Sequence, residues 1–295
     1  MKRVVLAGGT GFIGTYFAEH FSKLGYEVKM ISRQPQHISW EDQASIIEVL
    51  EGSELLINLA GKSVNCRYNE RNKNEIMNSR KRTTTILGES ILACHKPPSL
   101  WINSSTATIY RHAEDRPMTE EREEIGSGFS VDVAKQWEKT FFDFDLPNTR
   151  QIALRIAIVL GKGGGVMTPY KNLARFGLGG VQGTGKQMFS WIHIEDLFKI
   201  ILFLNERKEL CGIFNCSSPN PVSNRELMSV LRKKMKVPIG LPSPKWMLEL
   251  GAVFIKTETE LVLKSRWIVP ERLEREGYVF TFKTIDQTFQ NILSE

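Results

Sequence analysis

The stretch GGTGFIG at positions 8–14 sets Gly8, Gly11 and Gly14 three residues apart, with Thr10, Phe12 and Ile13 between them. It follows an apolar run, RVVLAG, and precedes a segment with helical spacing. A strand–turn–helix of this kind suits a dinucleotide pyrophosphate. The tight turn needs a residue free at φ > 0, the phosphates need backbone close by, and the helix N-terminus supplies a favourable dipole. A second apolar run, EVKMIS, leads into Ser32 and Arg33, and MISRQPQ contains no acid. A carboxylate there would hold a ribose 2′-OH and repel a 2′-phosphate, whereas a hydroxyl and a guanidinium would bind the phosphate. The expected cofactor is therefore NADP(H) rather than NAD(H). Further on, QMFSWIHIED brings Gln187, Ser190, Trp191 and His193 together after a glycine-rich loop. A histidine titrating near neutral pH is a candidate acid/base. The same residues also read as a strand end and helix start capped by acids, with His193 a structural hydrogen-bonder. Arg80, in NSRKR, is a candidate contact for a cofactor or substrate phosphate, or else an exposed helix residue.

Alternating strands and helices must position these residues. RVVLAG, EVKMIS, ELLINLAG, LWINSSTATIY, RQIALRIAIVLG and GIFNCSS read as buried strands. TYFAEHFSKLG, ASIIEVLEG, the stretch from about 70 to 95, and SVDVAKQWEKTFFDF read as the helices among them. The pattern predicts an α/β fold, a Rossmann-type doubly wound parallel sheet. After Gly161, GKGGG and GLGGVQGTGKQ flank a helical VMTPYKNLARFG, and two or three helices with a final amphipathic segment follow Pro221. The expected division is a cofactor domain over 1–220, with 160–190 contributing to a substrate cleft, and a small, mainly helical C-terminal lobe over 221–295. A ligand belongs in the cleft between them.

Composition narrows the partners. An apolar fraction of 41% and a charged fraction of 24% suit a globular protein with a core. The net charge of +6 makes anionic partners plausible, but the charges are scattered, and the dense CRYNERNKNEIMNSRKR mixes acids with bases. Nucleic acid is not expected as a partner, and neither is a membrane, because no window approaches the length of a span. Cys66, Cys94, Cys211 and Cys216 show no metal-binding spacing, so reduced thiols, no metal and a cytoplasmic location are expected.

Taken together, GGTGFIG, LLINLAG and INSSTATIY resemble the extended short-chain dehydrogenase/reductase family. NLAG, NSRKRTT, Trp137-Glu138, FGLGGVQGTGKQMFSWIHIED and SRWIVPERLEREGYVFTF are similar to its atypical, nucleoside-diphosphate-sugar epimerase-like branch. The resemblance implies that Leu59, Ala60 and Gly61 run beside the adenine ribose and pyrophosphate. It implies a substrate-bonding hydroxyl at Thr106, or a threonine bonding local backbone, and Tyr110 at the mouth of the cleft, where Arg111 replaces the family's glycine. Ala157 to Val159 would line the nicotinamide. Trp137 and Glu138 would form a helix face beneath the cofactor. The family's Tyr-x-x-x-Lys pair, counted back from Glu138, falls on Ser130 and Ala134, with Lys135 about 100° round the helix. The leading expectation is an NADP(H)-dependent oxidoreductase or epimerase-like enzyme acting by hydride transfer on a small polar, nucleotide-linked substrate. A non-catalytic NADP(H)-binding regulator is the alternative, and a homodimer stays open.

Overall fold

A computed structural model describes residues 1–122, 124–244 and 263–294. The chain runs β1 (Arg3–Ala7), α1 (Phe12–Lys23), β2 (Glu27–Ile31), α2 (Gln43–Leu50), β3 (Leu55–Asn58), α3 (Glu70–Ala93) and β4 (Leu100–Thr106). A 3-10 turn (Ala107–Ile109) leads on to α4 (Phe129–Phe142), β5 (Arg150–Ile156), β6 (Ile158–Leu160), α5 (Met167–Arg175), β7 (Met188–Phe189), β8 (Trp191–His193) and α6 (Ile194–Glu206). Then come β9 (Gly212–Cys216), β10 (Val222–Ser223), α7 (Asn224–Lys234), α8 (Glu271–Arg275) and α9 (Ile285–Leu293).

Six parallel strands form the main sheet in the order β2-β1-β3-β4-β5-β9. Alternate residues feed two cores. Val4, Leu6, Ile57, Ile102 and Leu154 pack with α1 and α6, whereas Val5, Leu56, Trp101 and Ala153 face the side of α2, α3 and α4. Both faces of the central strands β1, β3 and β4 are thus covered, which is why RVVLA, LLIN and LWI read as near-continuous apolar runs, whereas edge strand β2 keeps Glu27 and Lys29 part-exposed. The chain leaves β1 towards β2 on one side and returns to β3 on the other. That reversal is the topological switch point where ligands of such sheets bind.

RQIALRIAIVLG, expected as one strand, is two. The Ala157 amide donates to Cys216 O at 3.0 Å and the Ile158 amide to Ser190 O at 3.2 Å. The chain therefore changes partner at Ala157, and β6 pairs with β8 outside the main sheet. Likewise the strand LWINSSTATIY stops at Thr106, whose hydroxyl caps the 3-10 turn.

Beyond Pro221, β10 pairs antiparallel with β7, and single bridges join Gln182 to Ser243, Phe189 to Arg266 and Met118 to Ile268. Asp196, fully buried at the start of α6, accepts from Tyr278 Oη at 3.1 Å and from the Thr281 and Phe282 amides at 2.8 and 2.9 Å. Those bonds hold the tail on the main domain. Of the helices expected after Pro221, α7, α8 and α9 are seen, and the part of that expectation falling on 245–262 lies outside the described residues. Among the described residues no helix is long and apolar enough to cross a membrane.

Candidate functional site

The β1–α1 turn is built from close approaches that side chains would block. Gly8 has φ +77°, and a Cβ on it would lie 2.5 Å from Ala60 Cα and 2.7 Å from Ala60 N. A Cβ on Gly14 would overlap the Gly9 carbonyl. Gly11 differs: a Cβ there meets nothing within 4 Å. Gly11 is also the N-cap of α1, which has no side-chain cap and no acid in its first turn. The first amides of α1 and the positive end of its dipole are therefore left for an anion. Thr10 is exposed, whereas Phe12 and Ile13 use their side chains in packing. Phe12 lies under the 161–165 loop, where a Cβ on Gly161 would come within 2.8 Å of its ring.

At the end of β2, Ser32 is buried and its hydroxyl accepts from the Gln34 amide at 3.0 Å, while Arg33 is exposed. That serine fixes the turn and leaves the guanidinium outside, on the rim next to the glycine loop. The Gly8 amide donates to Ile31 O at 2.8 Å, which ties the two strand ends together.

The β3 end is held by a buried polar lock. Asn58 Nδ2 donates to Asn103 Oδ1 at 2.7 Å and to Thr84 Oγ1 at 3.2 Å, and Asn58 Oδ1 accepts from the Ala60 amide at 3.0 Å. Trp137 Nε1 donates to the same Thr84 hydroxyl at 3.0 Å. Leu59, Ala60 and Gly61 thereby take their path from β4, α3 and α4 at once. Arg80 presses on this loop: a Cβ on Gly61 would lie 2.9 Å from its Cζ, and its guanidinium sits 4.9 Å from the Trp137 ring centre. Its Nη1 donates to Lys62 O and Ile76 O, both at 3.1 Å. Burial lowers its pKa to about 10. It makes no ion pair with a carboxylate among the described residues.

A second lock joins β4, α4, β5 and β9. Glu138 and Arg155 form an ion pair with side chains only 9% and 3% exposed, through Nε–Oε1 at 2.9 Å and Nη2–Oε2 at 2.8 Å. Ser105 Oγ donates to Glu138 Oε1 at 2.6 Å, and Arg155 Nη1 donates to Tyr110 Oη at 2.9 Å. Tyr110 Oη in turn donates to Asn215 Oδ1 at 2.9 Å. Tyr110, expected at the mouth of the cleft, is thus 1% exposed, and burial pushes its phenol up. The change from strand to 3-10 turn at Ala107 is what carries its ring inward. The signal for this lock was a lone arginine in the apolar run IALRIA, which needed a buried carboxylate.

Thr106 is half-exposed, and its Oγ1 accepts from the Thr108 amide at 3.1 Å, which leaves its own proton to donate. Ala134 is fully buried and Lys135 exposed, so the lysine lies on the far side of α4 from the sheet. His193 is the N-cap of α6: Nδ1 accepts from the Glu195 amide at 3.1 Å, which puts the proton on Nε2, facing Asn291 Oδ1 at 3.1 Å. Its ring stacks on Phe282 at 3.8 Å, and both nitrogens are occupied. Burial holds its pKa below the ordinary value. The unfolded chain therefore binds the proton more readily, and stability that is whole above about pH 6.5 should fall as the pH drops below it. His193→Asn, which keeps a capping side chain, is expected to flatten the fall in Tm between pH 7.5 and 5.5. An equal fall in both proteins would contradict this.

Two basic residues of the C-terminal part, which the sequence did not single out, reach Thr108 in the 3-10 turn after β4. Lys264 Nζ donates to Thr108 O at 2.9 Å and Arg266 Nε to Thr108 Oγ1 at 3.3 Å. These two residues and Gln187 border one cleft.

This geometry defines a doubly wound dinucleotide-binding protein: a glycine turn at the switch point, with an uncapped helix N-terminus behind it. The family model described as the NAD dependent epimerase/dehydratase family matches residues 4–217, and the chain belongs to that family. A domain of unknown function matches residues 243–292. Epimerase family protein SDR39U1 of Homo sapiens is 31% identical over 303 residues, covering 99% of this chain and 100% of that protein. Epimerase family protein SAR0825 of Staphylococcus aureus is 27% identical over 305 residues, covering 100% of both. The crystal structure of the human protein with NADPH superposes with a TM-score of 0.89 at 31% identity, covering 98% of each chain. A nucleoside-diphosphate sugar epimerase from Corynebacterium glutamicum gives a TM-score of 0.79 at 25% identity, over 99% of this chain but 58% of that one. The UDP-N-acetylglucosamine 4-epimerase from Bacillus cereus, at 15% identity and a TM-score of 0.78, shares the fold.

Proposed function

We propose that the chain is an NADP(H)-dependent oxidoreductase or epimerase-like enzyme that works without a Tyr-x-x-x-Lys pair. The observation that carries this reading is the acid-free, uncapped N-terminus of α1 at Gly11, beside a β2 end that offers Ser32 and Arg33 in place of a carboxylate. The human relative solved with NADPH supports it. When bound, the cofactor supplies or accepts a hydride at a carbon of a small polar, nucleotide-linked substrate. Gly11 and the first amides of α1 hold the pyrophosphate, and Ser32 and Arg33 hold the 2′-phosphate. Leu59 to Gly61, kept in place by the Asn58 lock and Arg80, border the adenosine side. Ala157, where the chain changes sheets, borders the nicotinamide. Thr106 donates its free proton to a substrate oxygen, while Tyr110 and His193 hold the strand ends and the α6 start in position. Residues 1–220 form the cofactor domain in this reading and 221–295 the substrate lobe. The four cysteines are free thiols, which supports a cytoplasmic setting.

Calorimetric titration tests the cofactor half. NADPH is expected to bind more tightly than NADH, and Arg33→Ala should erode that preference by about tenfold, the value of one charge-assisted hydrogen bond. Equal affinities in the wild type would sink the assignment. A panel of carbonyl compounds and nucleotide sugars with NADPH or NADP⁺ tests the chemistry. The second reading, a non-catalytic NADP(H)-dependent regulator, draws on Ala134, fully buried where a lysine is absent. It requires cofactor-dependent partner binding without turnover.

A further inference from the structure

The loop after β6 is shaped around one aromatic ring. Phe12, the first residue of α1, follows Gly11, and its half-buried ring lies in the hollow of the 161–165 loop. A Cβ on Gly161 would lie 2.8 Å from Phe12 Cζ, one on Gly164 2.4 Å from Cδ2, and one on Gly165 3.3 Å from Cδ1 and Cε1. Three glycines of this short loop therefore touch the ring at distances that leave little or no room for a methyl group. The loop also folds back on its own strand. The same Cβ on Gly165, where φ is +60°, would lie 3.4 Å from Val159 O. Lys162, Gly163 and Gly165 stay exposed, so the loop is a surface cover over the ring rather than part of the core.

The two sides of this contact belong to different halves of the proposed cofactor site. On one side, Phe12 follows the α1 cap that receives the pyrophosphate in the reading above. On the other, the loop continues β6, which begins directly after Ala157 at the proposed nicotinamide wall. Because β6 has left the main sheet and pairs with β8, the six-stranded ladder does not fix its height above α1. Gly161 also presses on Ile194, the first residue of α6, with 2.8 Å from its Cβ position to Ile194 Cγ2. The base of the loop is thus gripped between α1 and α6.

We propose that Phe12 is a positioning residue, whose ring seats the 161–165 loop and so sets the distance between the pyrophosphate turn and the nicotinamide wall. The proposal rests on the NADP(H) reading above. Phe12 acts through the loop and not on the reacting atoms. A whole dinucleotide spans both elements and binds with the loop seated, whereas adenosine 2′,5′-bisphosphate ends at the pyrophosphate turn. Unseating the loop lowers the fraction of binding-competent molecules, and the apparent affinity for the dinucleotide falls by that fraction.

Gly164→Ala is the test, because Gly164 has no positive φ and its added methyl meets the Phe12 ring. In calorimetric titrations the substitution is expected to weaken NADPH binding by about tenfold and to leave adenosine 2′,5′-bisphosphate within about twofold of wild type. The retained bisphosphate affinity also shows that the variant is folded. In a Phe12→Ala background, which removes the ring, the same methyl should cost no further NADPH affinity. A Gly164→Ala protein that keeps wild-type NADPH affinity, or that loses both ligands in equal proportion, overturns the proposal. An undiminished effect of the methyl without the ring does so too. The wild type separates the two levels. A protein that binds neither ligand loses the cofactor reading and this inference with it, whereas NADPH binding that Gly164→Ala does not alter sinks the role of the loop alone.

Discussion

Arg155→Met is expected to be among the most damaging single substitutions in this chain, costing about 3–5 kcal/mol by leaving the Glu138 carboxylate buried without its cation. The pair is nearly dry, with side chains 3% and 9% exposed, and Arg155 also donates to Tyr110 Oη. Removing it strands two acceptors rather than one. Glu138 would keep only the Ser105 hydroxyl, and Tyr110 would keep its bond to Asn215. At this chain size a loss of that magnitude lowers Tm by on the order of 10 °C. The double variant Glu138→Leu/Arg155→Met removes both charges and should be less unstable than the sum of its singles, because neither leaves an uncompensated ion. Thermal melts of the four proteins of the cycle decide the point. Strict additivity would mean that the two groups do not interact.

The second large effect separates two glycines of one motif. Gly14→Ala should destabilise the fold by several kcal/mol, in the range of severe overpacking, about 1–3 kcal/mol or more, because the added methyl falls on the Gly9 carbonyl and α1 cannot move off β1 without opening the core. Gly11→Ala should cost no more than about 1 kcal/mol of stability, the disadvantage of Ala at an N-cap. Its φ of −92° is accessible to any residue, and nothing lies within 4 Å of the new methyl. The same methyl projects where the pyrophosphate is proposed to approach, so NADPH affinity should fall by at least about tenfold, 1.4 kcal/mol. Melting curves paired with NADPH titrations make the comparison. If Gly11→Ala bound NADPH like the wild type, the phosphate would have to lie elsewhere.

What could be read without coordinates was whatever a short window of chain determines. The strand runs RVVLAG, EVKMIS and ELLINLAG, and the helix of TYFAEHFSKLG, follow from local periodicity and turn sterics, and the parallel sheet follows from their alternation. The tight approach at Gly8 was legible for the same reason, since a positive φ is a property of one residue. The fate of the polar side chains was not legible, because it depends on partners brought in from far along the chain. Tyr110 reads as a cleft residue until Asn215, 105 positions away, takes its hydroxyl. His193 reads as an acid/base until Asn291, 98 positions away, takes its Nε2. Asn58 and Asn103 are 45 apart, yet they share a bond that sets the path of Leu59 to Gly61. A buried donor or acceptor must be satisfied, and only the closed fold supplies the partner. The sequence alone thus determined the sheet, the glycine turn and the expectation of a phosphorylated dinucleotide. The tertiary structure decided which hydroxyls, rings and charges are spent on holding that frame and which stay near the cleft, because desolvation and pairing are properties of the packed interior and not of the chain.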